Sequence, residues 1–179
     1  MKAIFQSELN SLIHLIGQVD LAQLAAAADL IRATPGKLLI LGNGGSNGVA
    51  SHMAEDYTNN YKPTLCFSDA AFMSCFANDF GWENAFQRWL QHFTLPGDMI
   101  ILISSSGASA NILNCATWAT AQRHRLITLS GFNPENPLRQ LGDVRFYVDS
   151  HSYKDVELMH TVILHTLLEA LIKTQPAGA

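Results

Sequence analysis

Apolar residues near the start of the chain fall at Phe5, Leu9, Leu12, Ile13 and Ile16, spaced by four, three, one and three. That spacing marks one face of a helix. It predicts an N-terminal helical region over residues 1–34, closed by Pro35-Gly36. Beyond it, short unbroken apolar runs alternate with helical patterns. The runs Lys37–Leu41, Thr64–Phe67, Asp98–Ile103, Arg125–Leu129 and Val144–Val148 read as strands. Helices are expected from the loop after Leu41 to about Asn60, over Asp69–Ala77 and Trp82–Phe93, from Ser109 to about Gln122, and over Asp155–Lys173. The tail 174–179, with its Pro and Gly, is expected to fray. Strands that are continuously apolar, not alternating, belong to a parallel sheet covered on both faces. The expectation is therefore an α/β fold, with any ligand beyond the carboxyl ends of the strands.

Composition narrows the class. Of 179 residues, 48% are hydrophobic and only 15% charged. That argues against a disordered chain and suggests that part of the surface is covered by another subunit. One domain over 1–174 is the natural reading of this length. A net charge of -4 leaves no electrostatic footprint for nucleic acid. No apolar run reaches the length of a membrane span, and the start, MKAIFQSELN, turns polar too early for a signal peptide. Cys66, Cys75 and Cys115 have no paired spacing and are read as reduced core cysteines of a cytoplasmic protein.

Two loops at strand ends carry the first candidate chemistry. Gly42-Asn43-Gly44-Gly45-Ser46 allows a tight turn and close approach of backbone to a ligand. The helix start behind it can bind an anion, although an ordinary strand-to-helix turn accounts for it equally well. It matches neither of the glycine patterns of dinucleotide and nucleoside triphosphate sites. Ser104-Ser105-Ser106-Gly107-Ala108-Ser109 offers hydroxyls and backbone N–H groups that can hold a phosphate without Lys or Arg. Its simpler reading is a turn with Ser109 as helix N-cap. Two such loops together favour a phosphate site.

His52 and Asp56, four apart, share a helix face within reach of one metal ion or substrate, whereas Glu55 points away. On the last helix Glu157 and His160 share a face, and His165 lies about 80° round from Glu157. Histidines and a carboxylate in so apolar a helix are costly to bury unless paired or bound. Asp79, in Asn78-Asp79-Phe80-Gly81, reads as part of a turn between helices that could face a ligand. His14, His92 and His124 are read as surface residues, His151 stays open, and the tryptophans are assigned to packing.

These motifs together resemble the sugar isomerase (SIS) domain family, and within it the phosphoheptose isomerases. The matching stretches are GNGGS at 42–46, HMAED at 52–56, SDAAFMSCFANDFG at 68–81, GDMIILISSSGASANI at 97–112, LITLSG at 126–131 and HTVILH at 160–165. The resemblance implies a three-layer αβα fold with a five-stranded parallel sheet. It further implies a homotetramer, packed partly through the N-terminal helix, with active sites at subunit interfaces. By position, Asn43, Gly44, Ser46, Ser104, Ser105, Ser106 and Ser109 match phosphosugar contacts, and Asp79 and Asp155 match substrate-binding aspartates. Asp56 and His165 match the catalytic pair, and His52, Asp56, Glu157 and His165 a zinc site.

The implied reaction is aldose–ketose isomerisation of sedoheptulose 7-phosphate through an enediol. Its product would feed a heptose-containing polysaccharide such as lipopolysaccharide. A non-catalytic phosphosugar-binding regulator, or a replication-initiation adaptor, is the alternative the family allows. The chain departs from the family at four places. Asp56 stands where the family has glutamate, Glu157 where it has a glutamine, Leu158 where it has the glutamate after that, and Ala108 where it has asparagine. Aspartate withdraws the carboxylate by roughly 1.5 Å, one carbon–carbon bond, and such a displacement can cost ~100-fold in rate if uncompensated. A shorter carboxylate and a gained one in the same site look coupled, giving one more negative charge around a metal.

Overall fold

The computed structural model describes residues 1–175. Residues 176–179 of the tail expected to fray lie outside the described residues, while Thr174 is held by hydrogen bonds to Ala170 and Leu171 and to Arg32. Five strands form one sheet: β1 (Leu38–Gly42), β2 (Thr64–Cys66), β3 (Met99–Ser104), β4 (Arg125–Gly131) and β5 (Val144–Val148). Their order is β2-β1-β3-β4-β5, and every neighbouring pair is parallel. β1 and β3 are buried along their whole length. Each is sandwiched, which is why both read as unbroken apolar runs.

Alternate residues of each strand feed two separate cores. Leu38, Ile40, Ile101 and Ile103 pack under α1 (Lys2–Gly17), α2 (Leu21–Arg32), α3 (Gly45–Asn60) and α7 (Tyr153–Lys173). Leu39, Leu41, Ile100 and Leu102 pack under α4 (Ala70–Phe80), α5 (Trp82–Phe93) and α6 (Ala110–Ala121). The result is the expected αβα sandwich. From β1 the chain goes to β2 on one side; β3, β4 and β5 follow on the other. The crevice between the ends of β1 and β3 is thus the switch point at which such sheets bind ligands.

Three expectations change. The N-terminal region is two helices bent by 66°, not one. Asp20 breaks it: its carboxylate accepts from Ala22 N (2.8 Å) and Gln23 N (3.3 Å), capping a new helix. The Asn78–Phe80 stretch is no turn but the end of α4, and the chain reverses at Gly81, whose φ is +80°. Of the three cysteines only Cys115 is in the core; Cys66 is half-buried and Cys75 is exposed, because α4 turns that face outward. The predicted apolar face of α1 is also open, with Ile13 65% and Phe5 59% exposed. Among the described residues no single helix is long and apolar enough to cross a membrane.

Candidate active site

The loop after β1 turns at Gly44, with φ +53° and ψ −120°, a backbone conformation that side chains rarely adopt. Gly44 also caps α3 without any side-chain hydrogen bond, and Ser46 is buried in the first turn. The loop after β3 leads into α6, which lies on the opposite face of the sheet. Two helix starts, with their unpaired N–H groups, therefore flank one crevice. Ser109 occupies the N-cap position of α6 but makes no capping bond; its Oγ accepts from Ser104 Oγ at 3.2 Å. Ser106 Oγ accepts from Ala108 N at 3.3 Å. Ser105 Oγ is buried without a hydrogen-bond partner. A buried orphan hydroxyl is rare in a native fold, and in such a loop it suits a site that a ligand completes.

The second cluster stands where α3 lies beside α7. Asp56 Oδ2 is 3.5 Å from His52 Nε2 and 3.7 Å from His165 Nδ1. The two imidazoles meet edge to face at 5.2 Å between centroids. These separations are too long for good hydrogen bonds. One ligand atom from each of His52, Asp56 and His165 lies within 4.8 Å of the others. Donors about 2.0–2.1 Å from a tetrahedral zinc are themselves about 3.4 Å apart, so the three residues fit a divalent ion with an open fourth position. Two imidazoles and a carboxylate suit zinc without selecting it. The alignment of α3 with α7 is stapled beside the cluster: the buried Tyr57 hydroxyl donates to the Leu164 carbonyl at 3.2 Å. Glu55 is exposed on another face of α3.

Other predicted residues lie elsewhere. Glu157 is not in that group; its carboxylate lies over Gly45 at the start of α3, in space a Cβ would fill. Asp79 is exposed at the end of α4, where it accepts from Asn78 Nδ2 at 2.9 Å and Cys75 Sγ at 3.6 Å. Asp155 is buried at the start of α7. It accepts from Ser11 and Ser150, each at 3.1 Å, and pairs with Lys154 at 3.0 Å. Burial alone would raise its carboxyl, but Lys154, Ser11 and Ser150 outweigh that and hold it below the usual range. Ser11 is on α1, so this carboxylate docks α1 against α7. His160 is fully buried, with Nε2 3.3 Å from the Ser130 carbonyl and Nδ1 unpartnered. Burial pushes its imidazole down to about 4, against the opposing effect of the Ser130 carbonyl.

Sequence reasoning missed two asparagines. Asn111, at the start of α6, exchanges two hydrogen bonds with Asn43. Asn136 is buried under the second loop, in space a Cβ on Gly107 would fill, and Gly107 has φ +62°. It donates to the carbonyls of Asn133 (2.8 Å) and Gly131 (3.2 Å) and accepts from Arg139 N (2.9 Å). The signal for Asn111 stood in the GASANI motif; Asn136, in the Asn-Pro-Leu segment, had none beyond its potential as a cap.

Fold and site define a class. The chain belongs to the SIS domain family, whose model matches residues 5–131, a span that holds both loops, His52 and Asp56. Within it the chain is a homologue of phosphoheptose isomerases. It is 34% identical to the phosphoheptose isomerase of Vibrio cholerae over 164 residues, 86% of this chain and 85% of that one. With that of Buchnera aphidicola it shares 31% over 182 residues, 93% of each chain. The structure of phosphoheptose isomerase GmhA from Neisseria gonorrhoeae, 23% identical, agrees in fold with a TM-score of 0.88 over 97% of both chains.

Proposed function

We propose that the protein interconverts a ketose and an aldose phosphate, with sedoheptulose 7-phosphate and glycero-manno-heptose 7-phosphate as the pair. The observation that carries this reading is the Asp56 carboxylate flanked by two imidazoles on packed helices. Both imidazoles sit on Oδ2, and Oδ1 is left to take a proton. Asp56 removes the proton from C1 of the ketose; the electron pair forms the C1–C2 double bond and the carbonyl oxygen O2 takes a proton from His165. Asp56 then returns its proton to C2 while His165 accepts the one leaving O1, and the aldehyde forms at C1. No oxidant or reductant is consumed. The six loop residues Gly44, Ser46, Ser104, Ser105, Ser106 and Ser109 form the phosphate end, where remote binding energy positions the reacting carbons. Zinc held by His52, Asp56 and His165 would polarise the carbonyl and stabilise the enediolate.

The same geometry supports an assembly. Ser46 and Asp56 are ten residues apart on α3, about 15 Å along its axis. A heptose phosphate, with six carbon–carbon bonds of about 1.5 Å and a phosphate ester, spans roughly 10 Å at full stretch. With a hydrogen bond of about 3 Å at each end such a ligand only just fills that distance, so a loop and a carboxylate brought closer across a contact between two copies would hold it without full extension. The open apolar face of α1 supplies a surface for such a contact. A homotetramer with shared active sites is the form we propose.

The test is turnover of sedoheptulose 7-phosphate, with and without added zinc, by the wild type and by Asp56→Asn. We expect turnover that falls about 10³-fold in the variant. Sedimentation of Ile13→Glu should give smaller species than the wild type. Absence of turnover in every condition, with phosphosugar binding intact, would leave a phosphosugar-binding regulator as the better reading.

A further inference from the structure

Asn43 matched a substrate contact by position, but its side chain is otherwise engaged. Its Nδ2 donates to Asn111 Oδ1 at 2.9 Å, and its Oδ1 accepts from Asn111 Nδ2 at 2.8 Å. The pair closes an eight-membered ring of the kind two amides form. Asn111 Oδ1 also accepts from Ile112 N at 3.0 Å, so one side chain is anchored in the first turn of α6 and grips the opposite loop. Asn111 is 2% exposed and cannot itself reach a ligand; Asn43 is half-buried. The two residues stand on different sides of the switch-point crevice, one after β1 and one at the start of α6. No other side-chain hydrogen bond joins these loops among the described residues.

From this we infer that Asn43 and Asn111 are positioning residues: their amide pair sets the distance between the two loops, and thereby the affinity of the crevice for phosphate. The alignment of β1 with β3, where Gly42 faces Ile103, fixes the strands but not the turns beyond them. Gly44 and Gly107 both take positive φ, so each turn has a backbone with wide conformational freedom. A cradle made of hydroxyls and N–H groups has no Lys or Arg to compensate for a misplaced donor. Its affinity depends on donors from both loops meeting one anion at hydrogen-bond distance. The paired amides hold that geometry before the ligand arrives. The inference that this geometry serves phosphate rests on the proposed function; the coupling of the loops does not.

The experiment is a double-mutant cycle on the full chain with Asn43→Ala, Asn111→Ala and both together. Three quantities are read: the dissociation constant for inorganic phosphate, KM and kcat for sedoheptulose 7-phosphate, and amide exchange in both loops. Each single variant should weaken phosphate binding by about five- to tenfold and raise KM alike, with kcat within about twofold. The double variant should be no worse than either single one. Exchange at Gly44–Ser46 should quicken in Asn111→Ala, although that substitution is on the far side of the crevice. Additive losses would overturn the inference by making Asn43 an independent ligand contact. Unchanged exchange and unchanged phosphate affinity in folded Asn111→Ala would overturn it outright. Should Asn111→Ala fail to fold, Asn43→Ala, on the half-buried side, is read for quicker exchange at Ser105–Ser109. A wild type that binds no phosphate would sink the functional reading, while the exchange data still decide the brace.

Discussion

His160 and His165 stand five residues apart on α7, about 140° round the helix, and live in different worlds. His160 faces the sheet. It is fully buried, it meets the Ser130 carbonyl, and burial holds its imidazole neutral, pushed down to about 4. A carbonyl can only accept, so Nε2 carries the proton and Nδ1 is left without a donor. His165 faces α3. It is half-exposed, and beside it stand a carboxylate and a second imidazole. One helix thus carries a structural histidine and a chemical one. What separates them is not residue type or burial cost alone but whether a second titratable group and solvent reach the ring.

The comparison breaks first, and most, at His165. His165→Asn should lower kcat for the sugar phosphate by about 10³-fold while leaving thermal stability nearly unchanged. A variant of that kind with activity within tenfold of wild type would put the chemistry elsewhere. His160 should behave the opposite way. Its folded pKa is depressed below the ordinary imidazole value of 6.5, so between pH 6.5 and about 4 the unfolded chain binds the extra proton. Stability is then full above pH 6.5 and lost as pH falls, by about 3 kcal/mol at the lower end. Urea denaturation across that range should show this acid limb in wild type and a flattened one in His160→Gln, with kcat at pH 7.5 unchanged within about twofold.

Two smaller effects sharpen the contrast. Replacement of His52 by Ala should lower zinc affinity on the proposed site by at least about 100-fold, more than the 10- to 100-fold that loss of an outer partner costs; elemental analysis after dialysis against a range of free zinc reads it, and the same measurement on His160→Gln should show no loss. Smallest is Tyr57→Phe. It removes the hydroxyl that ties α3 to Leu164, next to His165. About 1 kcal/mol of stability should go with it, together with a modest fall in kcat, because the two helices carrying the cluster lose their staple. An unchanged denaturation midpoint would mean that packing alone aligns them.

Much of the fold was legible because its physics is local. Continuous runs such as MIILIS read as strands sandwiched between helices, and the pattern from Lys37 to Val148 yields the observed sheet with boundaries shifted by a residue or two. His52 and Asp56 were legible for the same reason, since four residues make about one helical turn. The break at Asp20 was readable in principle, as a capping aspartate inside an apolar pattern, but the helical period on either side masked it. Asp155 was not readable: only the folded chain brings Ser11 to it from 144 residues away. Glu157 and His165, eight apart on one helix, were grouped by sequence, yet the helix carries one to Gly45 and the other to Asp56.

The sequence by itself determined the parallel sheet, the two loops at its switch point and the family, because these follow from short-range periodicity and contiguous motifs. Tertiary structure alone decided which polar side chains meet. The pairing of His165 with Asp56, the burial of His160 and the embrace of Asn43 by Asn111 join residues 109, 30 and 68 positions apart. Such contacts depend on how helices and strands are laid side by side, and no local pattern along the chain encodes the rotation of α7 that turns one histidine inward and the other toward a carboxylate.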